Sequence, residues 1–228
     1  MVQRDLNVVD LGRMAYADAA ECQREVHRDV VSGAVSPTLI LVEHEPVITL
    51  SRRAAVAEHL RASPTVLRHM GIQLAETDRG GDITYHGPGQ LVGYPILPLP
   101  LLGLNVGRYM RWLERVVIDA LRVLGVCALR QRGHTGIWMR EREESLPAKV
   151  CALGVRVERN VTLHGFALNV STCLDHFATI VPCGLHDRSV TSLSRCMGAE
   201  APTLAAMQSI VIETFRHHFC QRVSRRVV

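Results

Sequence analysis

Between residues 79 and 95 the chain reads RGGDITYHGPGQLVGYP, with five glycines, two prolines and a single histidine but no lysine. Such a stretch cannot continue a helix, and its glycines permit positive φ and close main-chain approach. It confines the fold to one that turns sharply on both sides of His86. The segment reads as a Gly80-Gly81 turn, a strand DITYH, a Gly-Pro-Gly turn and a second strand QLVGYPI, together a hairpin. Phosphate cradles do not fit. A P-loop needs a Gly-Lys-Ser/Thr ending, and the dinucleotide fingerprint must open a helix, whereas Gly87 and Gly89 run into Val92 and strand residues. Taken alone, the glycines are explained as well by a sheet corner as by a small molecule pressed against main chain.

The rest of the chain supplies sheet and helix. TLILVEH (38–44) and VITLS (47–51) are aliphatic and β-branched runs split by Glu45-Pro46, which predicts two strands and a tight turn. TGIWM (135–139), KVCALGVRVE (149–158) and VTLHGFALNV (161–170) predict three more, the last two a hairpin about Arg159-Asn160. A helix is predicted over 14–31, with Ala15, Ala19, Cys22, Val26 and Val30 on one face and Gly33 as its stop. A second runs from Asn105 to Gly125 with Val106, Tyr109, Leu113, Val117, Ala120 and Leu124 inward, and a third spans about 203–219 behind Leu204, Met207, Val211, Phe215 and Phe219. REREESLP (140–147) reads as a charged, solvated loop. Strands and helices do not alternate regularly. The expected class is α/β of the α+β type, a mixed or antiparallel sheet flanked by helices, in a single domain over 1–228.

Composition excludes several functions. Hydrophobic residues make up 47% and charged residues 21%, the balance of a soluble globular protein. The opening MVQRDLNVVD is too polar for a signal peptide. The apolar run LVGYPILPLPLLGL (91–104) is too short and too rich in proline to span a bilayer, so a cytoplasmic protein without membrane contact is expected. Seven cysteines without CxxC spacing argue against a disulfide framework and against a structural zinc site; no metal is expected. A net charge of +4 is too mild for nucleic acid, although it suits an acidic protein partner. The tail CQRVSRRVV reads as a short frayed terminus.

RGGDITYHGPGQLVGYPI resembles the signature of the octanoyltransferases, also called lipoate-protein ligase B. GHTGIWM (133–139), AKVCALGVRVERNVTLHGFALNV (148–170) and IVPCGL (180–185) match further family segments in the same order, and LVEHEPVITLSRRA (41–54) fits its early strand pair. The likeness is strongest over 38–194. It implies a fold similar to the catalytic domain of biotin and lipoate protein ligases. It also implies a reaction: transfer of an octanoyl group from octanoyl-acyl carrier protein to a lysine of apo lipoyl domains, through a cysteine thioester and without a cofactor. The acceptors so implied are the lipoyl domains of 2-oxoacid dehydrogenase complexes and the glycine cleavage H protein.

By the same resemblance Cys183 is the nucleophile and Lys149 its partner. An ordinary thiol is only a few per cent thiolate at neutral pH. Lys149 could help either as a charge that favours thiolate or as a desolvated base, and both roles stay open. Pro182 and Gly184 present Cys183 on a tight turn. Cys151 competes, because in a regular strand it shares a face with Lys149. The acyl pocket is implied to be lined by Arg79, Gly80, Gly81, Asp82, Ile83, Thr84, Tyr85 and His86, with Ala152, Leu153, Gly154, Gly165, Phe166 and Ala167. Arg79 either docks the carrier or braces the loop, with Asp82, Tyr85 and Gln90 in support. His86 and His164 either orient the thioester and move protons or are satisfied core histidines. Ser51 stands where the family has glycine, which leaves contacts of Arg52 and Arg53 open. Three rival readings are an ATP-dependent lipoate or biotin ligase, a binding module without chemistry, and a cysteine hydrolase.

Overall fold

The computed structural model describes residues 5–52, 56–142, 145–181 and 189–225. β1 (Asn7–Met14) leads into α1 (Tyr16–Ser32), β2 (Thr38–His44) and β3 (Val47–Ser51). α2 (Pro64–His69) and β4 (Gln73–Thr77) precede the glycine-rich stretch, which holds β5 (Thr84–His86) and β6 (Gln90–Ile96). Next come α3 (Leu99–Leu102), α4 (Val106–Arg122), β7 (Leu129–Gln131), β8 (His134–Met139), β9 (Ala148–Glu158) and β10 (Val161–Asn169). α5 (Leu193–Met197) and α6 (Leu204–Ser224) follow.

Seven strands form one mixed sheet in the order β1-β2-β6-β10-β9-β8-β7; β4, β3 and β5 form a second, small sheet. Strand alternation explains how both faces of the large sheet are covered. Leu39 and Leu41 of β2 enter a core shared with α4 and α6, while Ile40 and Val42 enter another that includes Ala19 and Val30 of α1. Each such side chain contributes about 1.5–3 kcal/mol by leaving water. A third core, with Ile48, Ile83, Tyr85 and Phe177, lies against the small sheet.

The DITYH–QLVGYPI hairpin does not form. β5 pairs antiparallel with β3, and β6 pairs with β2 and β10, so the Gly87-Pro88-Gly89 turn carries the chain from one sheet to the other. Gly89 has φ +80° and donates its N–H to Glu43 Oε1 at 2.6 Å, while its carbonyl accepts from Val170 and Ser171. A Cβ there would stand 2.6 Å from the Ser171 carbonyl carbon, which leaves only glycine.

The helices follow the periodic readings except at three points, the first being Val106, expected inward on α4 and in fact exposed. Asn105 caps α4 through Arg108 N–H, Thr203 caps α6 through Ala206 N–H, and Gly33 ends α1 in the left-handed region. α1 fully buries Gln23 and His27, whereas Cys22 and Val26 are only half-buried, Val26 packing at the edge of the core. Its inward face meets β10 where His164, at φ +57°, turns its N–H out of the ladder; the Gln23 side-chain oxygen accepts that N–H, and His27 Nε2 lies 3.2 Å from the Glu158 carbonyl. α6 continues to Ser224 with Val223 buried, so residues 220–224 are helical rather than frayed. Arg159 and Asn160, both at positive φ, close the β9–β10 hairpin as expected of a two-residue turn.

Candidate active site

A cavity of about 530 Å³ lies between the face of β6, β10 and β9 and the loop that joins the two glycines of the RGG turn to β5. All of residues 79–84, together with His86, 152–154, 165–167, Lys149 and His164, line it. Tyr85 does not. Its ring packs in the small-sheet core and its hydroxyl lies 2.7 Å from His176 Nδ1, because alternation along β5 turns it away from Thr84 and His86. The lining also takes Tyr16 from α1, Val92 and Tyr94 from β6, Met110 from α4, Val155 from β9, and 133–135 from the start of β8. Gly133 and Thr135 are exposed and mark an open side. These eight carry no individual sequence signal: each reads as core or turn until sheet order brings it to the cavity.

The RGG loop is fixed by named contacts. Gly80 N–H donates to the Val155 carbonyl at 2.9 Å, and a Cβ on Gly154 would stand 2.5 Å from the Gly80 carbonyl oxygen. Arg79 crosses to β3, donating to Thr49 Oγ1 at 2.9 Å and to the Thr49 carbonyl at 3.3 Å; this is bracing, as one of the two readings anticipated. Asp82 takes Ile83 N–H on one oxygen and lies 2.8 Å from His59 Nδ1 with the other. Ser51, where the resemblance expects glycine, donates its hydroxyl to the Gly81 carbonyl at 3.1 Å. Arg52 is exposed, and Arg53 falls outside the described residues.

Lys149 sits with its ammonium 5.0 Å from the centroid of the Trp138 ring, a cation–π contact. Its backbone donates to the Ser189 carbonyl and accepts from Thr191 N–H, each at 2.9 Å. Register shifts by one residue between Ile137, opposite Cys151, and Trp138, opposite Lys149, so β9 carries an extra residue, Val150. The bulge breaks the two-residue alternation. Val150 and Cys151 both enter the main core, while Lys149 reaches the cavity. Cys151 therefore does not share the face of Lys149; it is fully buried, and burial pushes its thiol well above the ordinary range. Pro182, Cys183 and Gly184 lie outside the described residues.

Behind the cavity a hydrogen-bonded relay runs from His86 to the segment that pairs with Lys149. His86 Nδ1 lies 2.7 Å from Gln90 Oε1; Gln90 Nε2 donates to Asn169 Oδ1 at 2.8 Å; Asn169 Nδ2 donates to the Thr191 carbonyl at 3.0 Å. Because the Gln90 amide nitrogen is the donor to Asn169, its oxygen accepts, so Nδ1 of His86 carries the proton. Burial holds His86 well below its usual pKa and therefore neutral. His44, behind it, is pushed down to about 4, chiefly by burial, and lies 2.7 Å from the Tyr94 hydroxyl. His164 has a different partner: its Nε2 is 2.6 Å from Asp78 Oδ1, and Arg156 holds the other Asp78 oxygen. The hydrogen bond from His164 keeps the Asp78 carboxyl well below the usual carboxylate range. Asp78, Asn169 and Ser51 are contributors that sequence reasoning did not place.

The architecture defines a class. The chain superposes on a bipartite lipoate protein ligase of Thermoplasma acidophilum with a TM-score of 0.68 at 15% identity, covering 98% of this chain and 91% of that one. It superposes on a biotin protein ligase of Aquifex aeolicus with a TM-score of 0.53 at 12% identity, covering 98% of this chain and 72% of that one. This is the mixed α/β fold of lipoate and biotin protein ligase catalytic domains. The sequence profile of the lipoyl protein ligase A/B catalytic domain matches residues 15–216, and an octanoyltransferase of Chloroflexus aggregans is 45% identical over 210 residues, covering 92% of each chain. The chain belongs to the octanoyltransferase family, and it is an acyltransferase.

Proposed function

We propose that the cavity holds an octanoyl chain, and that the protein passes it from octanoyl-acyl carrier protein to the lysine of a lipoyl domain through a thioester on Cys183. One observation carries this reading: the cavity runs along β9 from Lys149 to Val155 between backbone that glycines keep narrow. The six residue steps between Lys149 and Val155 extend about 20 Å, longer than an eight-carbon chain. Gly80, Gly154 and Gly165 line the cavity, and a Cβ on each would press on neighbouring main chain, at Val155, Gly80 and Gly93 in turn, so glycine is what lets the loop and strands close around a narrow slot.

In the first step the Cys183 thiolate attacks the octanoyl carbonyl and a C–S bond forms. The bond to the carrier's sulfur breaks, and that sulfur leaves with a proton. In the second step the neutral lysine amine of the lipoyl domain attacks, the amide forms, the C–S bond to Cys183 breaks, and the amine's surplus proton passes to the departing Cys183 sulfur, directly or by way of Lys149. Thioester to thioester is nearly isoenergetic and thioester to amide is downhill, so neither step calls for ATP. Lys149 supports thiolate as a positive charge or accepts the proton as a base. Ser189, six residues after Cys183, is bonded to the Lys149 backbone, which supports pairing the two in one site. Acceptors on the 2-oxoacid dehydrogenase complexes and the glycine cleavage H protein, and a cytoplasmic location, belong to the same reading. Among the described residues no helix is long and apolar enough to cross a membrane.

The test is intact-mass analysis after mixing the protein with octanoyl-acyl carrier protein. A single hydroxylamine-labile octanoyl adduct, lost in Cys183→Ser, is expected. Folded, active protein that forms no adduct, or transfer that strictly requires ATP, overturns the proposal.

A further inference from the structure

Charge in this chain is concentrated rather than spread. Between residues 105 and 133 there are six arginines and two acidic residues, a net +4, which equals the net charge of all 228 residues. The remaining chain is neutral. The stretch covers α4, β7 and the turn that opens the cavity.

On α4, Arg108, Arg111 and Arg115 recur at spacings of three and four and so share one helix face. With Arg222 of α6 they line a shallow groove whose other walls are Asn105, Gly107 and Trp112; none of the described residues lining it is acidic. Arg111 is held by Glu114, which is buried and also takes Arg130 of β7, and Arg115 is held by Asp119. Arg108 and Arg222 have no carboxylate within salt-bridge distance among the described residues. Groove and cavity both draw on α4: Met110 lines the cavity and Arg111 the groove, while Arg130, which donates to the Arg111 carbonyl at 2.9 Å, stands three residues before Gly133 at the cavity's open side.

The geometry points to this arginine face as the docking surface for the acidic acyl carrier protein that delivers the octanoyl thioester, an inference that rests on the donor named in the proposed function. The carrier, rather than the lipoyl domain, is the occupant because the carrier's acyl arm itself bears a phosphodiester. Guanidinium groups on the helix that also contributes to the cavity lining match that anion, whereas an acceptor lysine needs no anionic route. Surface charges of this kind act mainly on encounter rate and on salt dependence.

The experiment pairs Arg108→Glu with Arg222→Ala. Glutamate at position 108, the third residue of α4, suits the N-terminal turn, so the fold should hold. Binding of octanoyl-acyl carrier protein is read by fluorescence anisotropy at low and at physiological salt, and acyl-enzyme formation is read separately with octanoyl-acyl carrier protein and with octanoyl-pantetheine, which has neither carrier nor phosphate. The double variant should bind the carrier roughly tenfold more weakly, with a flatter salt dependence. Reaction with octanoyl-pantetheine and affinity for the lipoyl domain should not change. Unchanged carrier affinity, or a loss that falls on the lipoyl domain instead, overturns the docking surface. If the carrier binds the parent and not the variant but no adduct forms on either, the docking surface stands and the thioester reading falls.

Discussion

Gly136 and Lys149 face each other across β8 and β9 so closely that a Cβ on Gly136 would stand 3.0 Å from Lys149 Cε and 2.9 Å from the Cys151 carbonyl oxygen. Gly136 is at φ +127°, a region that L side chains rarely adopt. The glycine is thus the space through which the lysine stem passes to reach Trp138 and the cavity. Gly136→Ala should strain the backbone by about 1–3 kcal/mol and displace the ammonium. Octanoyl transfer should fall by about tenfold or more, because misplacing a reacting group by an ångström is already costly. Circular dichroism with single-turnover transfer checks this; full activity in folded Gly136→Ala would remove Lys149 geometry from the reaction.

A parallel argument applies at the other end of the slot. Gly154 permits the Gly80 carbonyl to approach β9, and Gly80 N–H is bonded to Val155 in turn. In Gly154→Ala the RGG loop must move outward, because the opposing atom is backbone rather than a flexible side chain. The expected result is a KM for the octanoyl donor raised about tenfold, with melting changed far less than by a core deletion, which costs about 2–5 kcal/mol. An unchanged KM would mean that the acyl chain does not lie under this loop.

These two contacts show what was legible in the sequence. Gly80, Gly154 and Gly165 were placed at the pocket because their segments resemble a known family, and the cavity does gather them. Helix periodicity and caps located α4 and α6, and aliphatic, β-branched runs bounded by turn residues located β2, β9 and β10. Sheet membership was not legible. β5 and β6 read as a hairpin because hydrophobic pattern and turn residues report local conformation, whereas the Glu43–Gly89 bond that sends the chain between sheets joins residues 46 apart. β1, at the sheet edge and with its polar residues Asn7, Asp10 and Arg13 three apart, has no two-residue alternation to read. The bulge at Val150 was equally hidden, and with it the separation of Cys151 from Lys149.

His44 makes stability depend on pH. Its pKa falls from 6.5 to about 4 on folding, so between those values the unfolded chain binds more protons than the folded one. A group with a lowered folded pKa contributes its full stability above the unfolded pKa and loses it as pH falls towards the folded one. The span of about 2.5 units corresponds to about 3 kcal/mol lost between pH 6.5 and 4, and His86, shifted in the same direction, adds to the slope. Urea unfolding at pH 7.5, 6, 5 and 4.5 should show a steady fall for the parent. His44→Gln should start lower, having lost the Tyr94 contact, yet fall less steeply. Parallel curves for the two proteins would mean that His44 is not buried neutral.

Cys151 and Cys183 can be separated by reactivity. The Cys151 thiol is fully buried in the core with Ile137 and Val150, donates weakly to the Ala152 carbonyl at 3.5 Å, and is held far above the thiol range by burial, which Lys149 opposes only in part. A thiol so placed supplies almost no thiolate at neutral pH and has no path to a carrier-bound acyl group. Cys151→Ala should therefore cost about 1–2 kcal/mol of stability through the small cavity it leaves, while the octanoyl adduct and the rate of transfer remain. Cys183→Ser should lose the adduct with melting unchanged. Loss of the adduct in folded Cys151→Ala, with the adduct kept in Cys183→Ser, would exchange the two roles and require β9 to open during the reaction, since Cys151 has no access to substrate while the strand is in place.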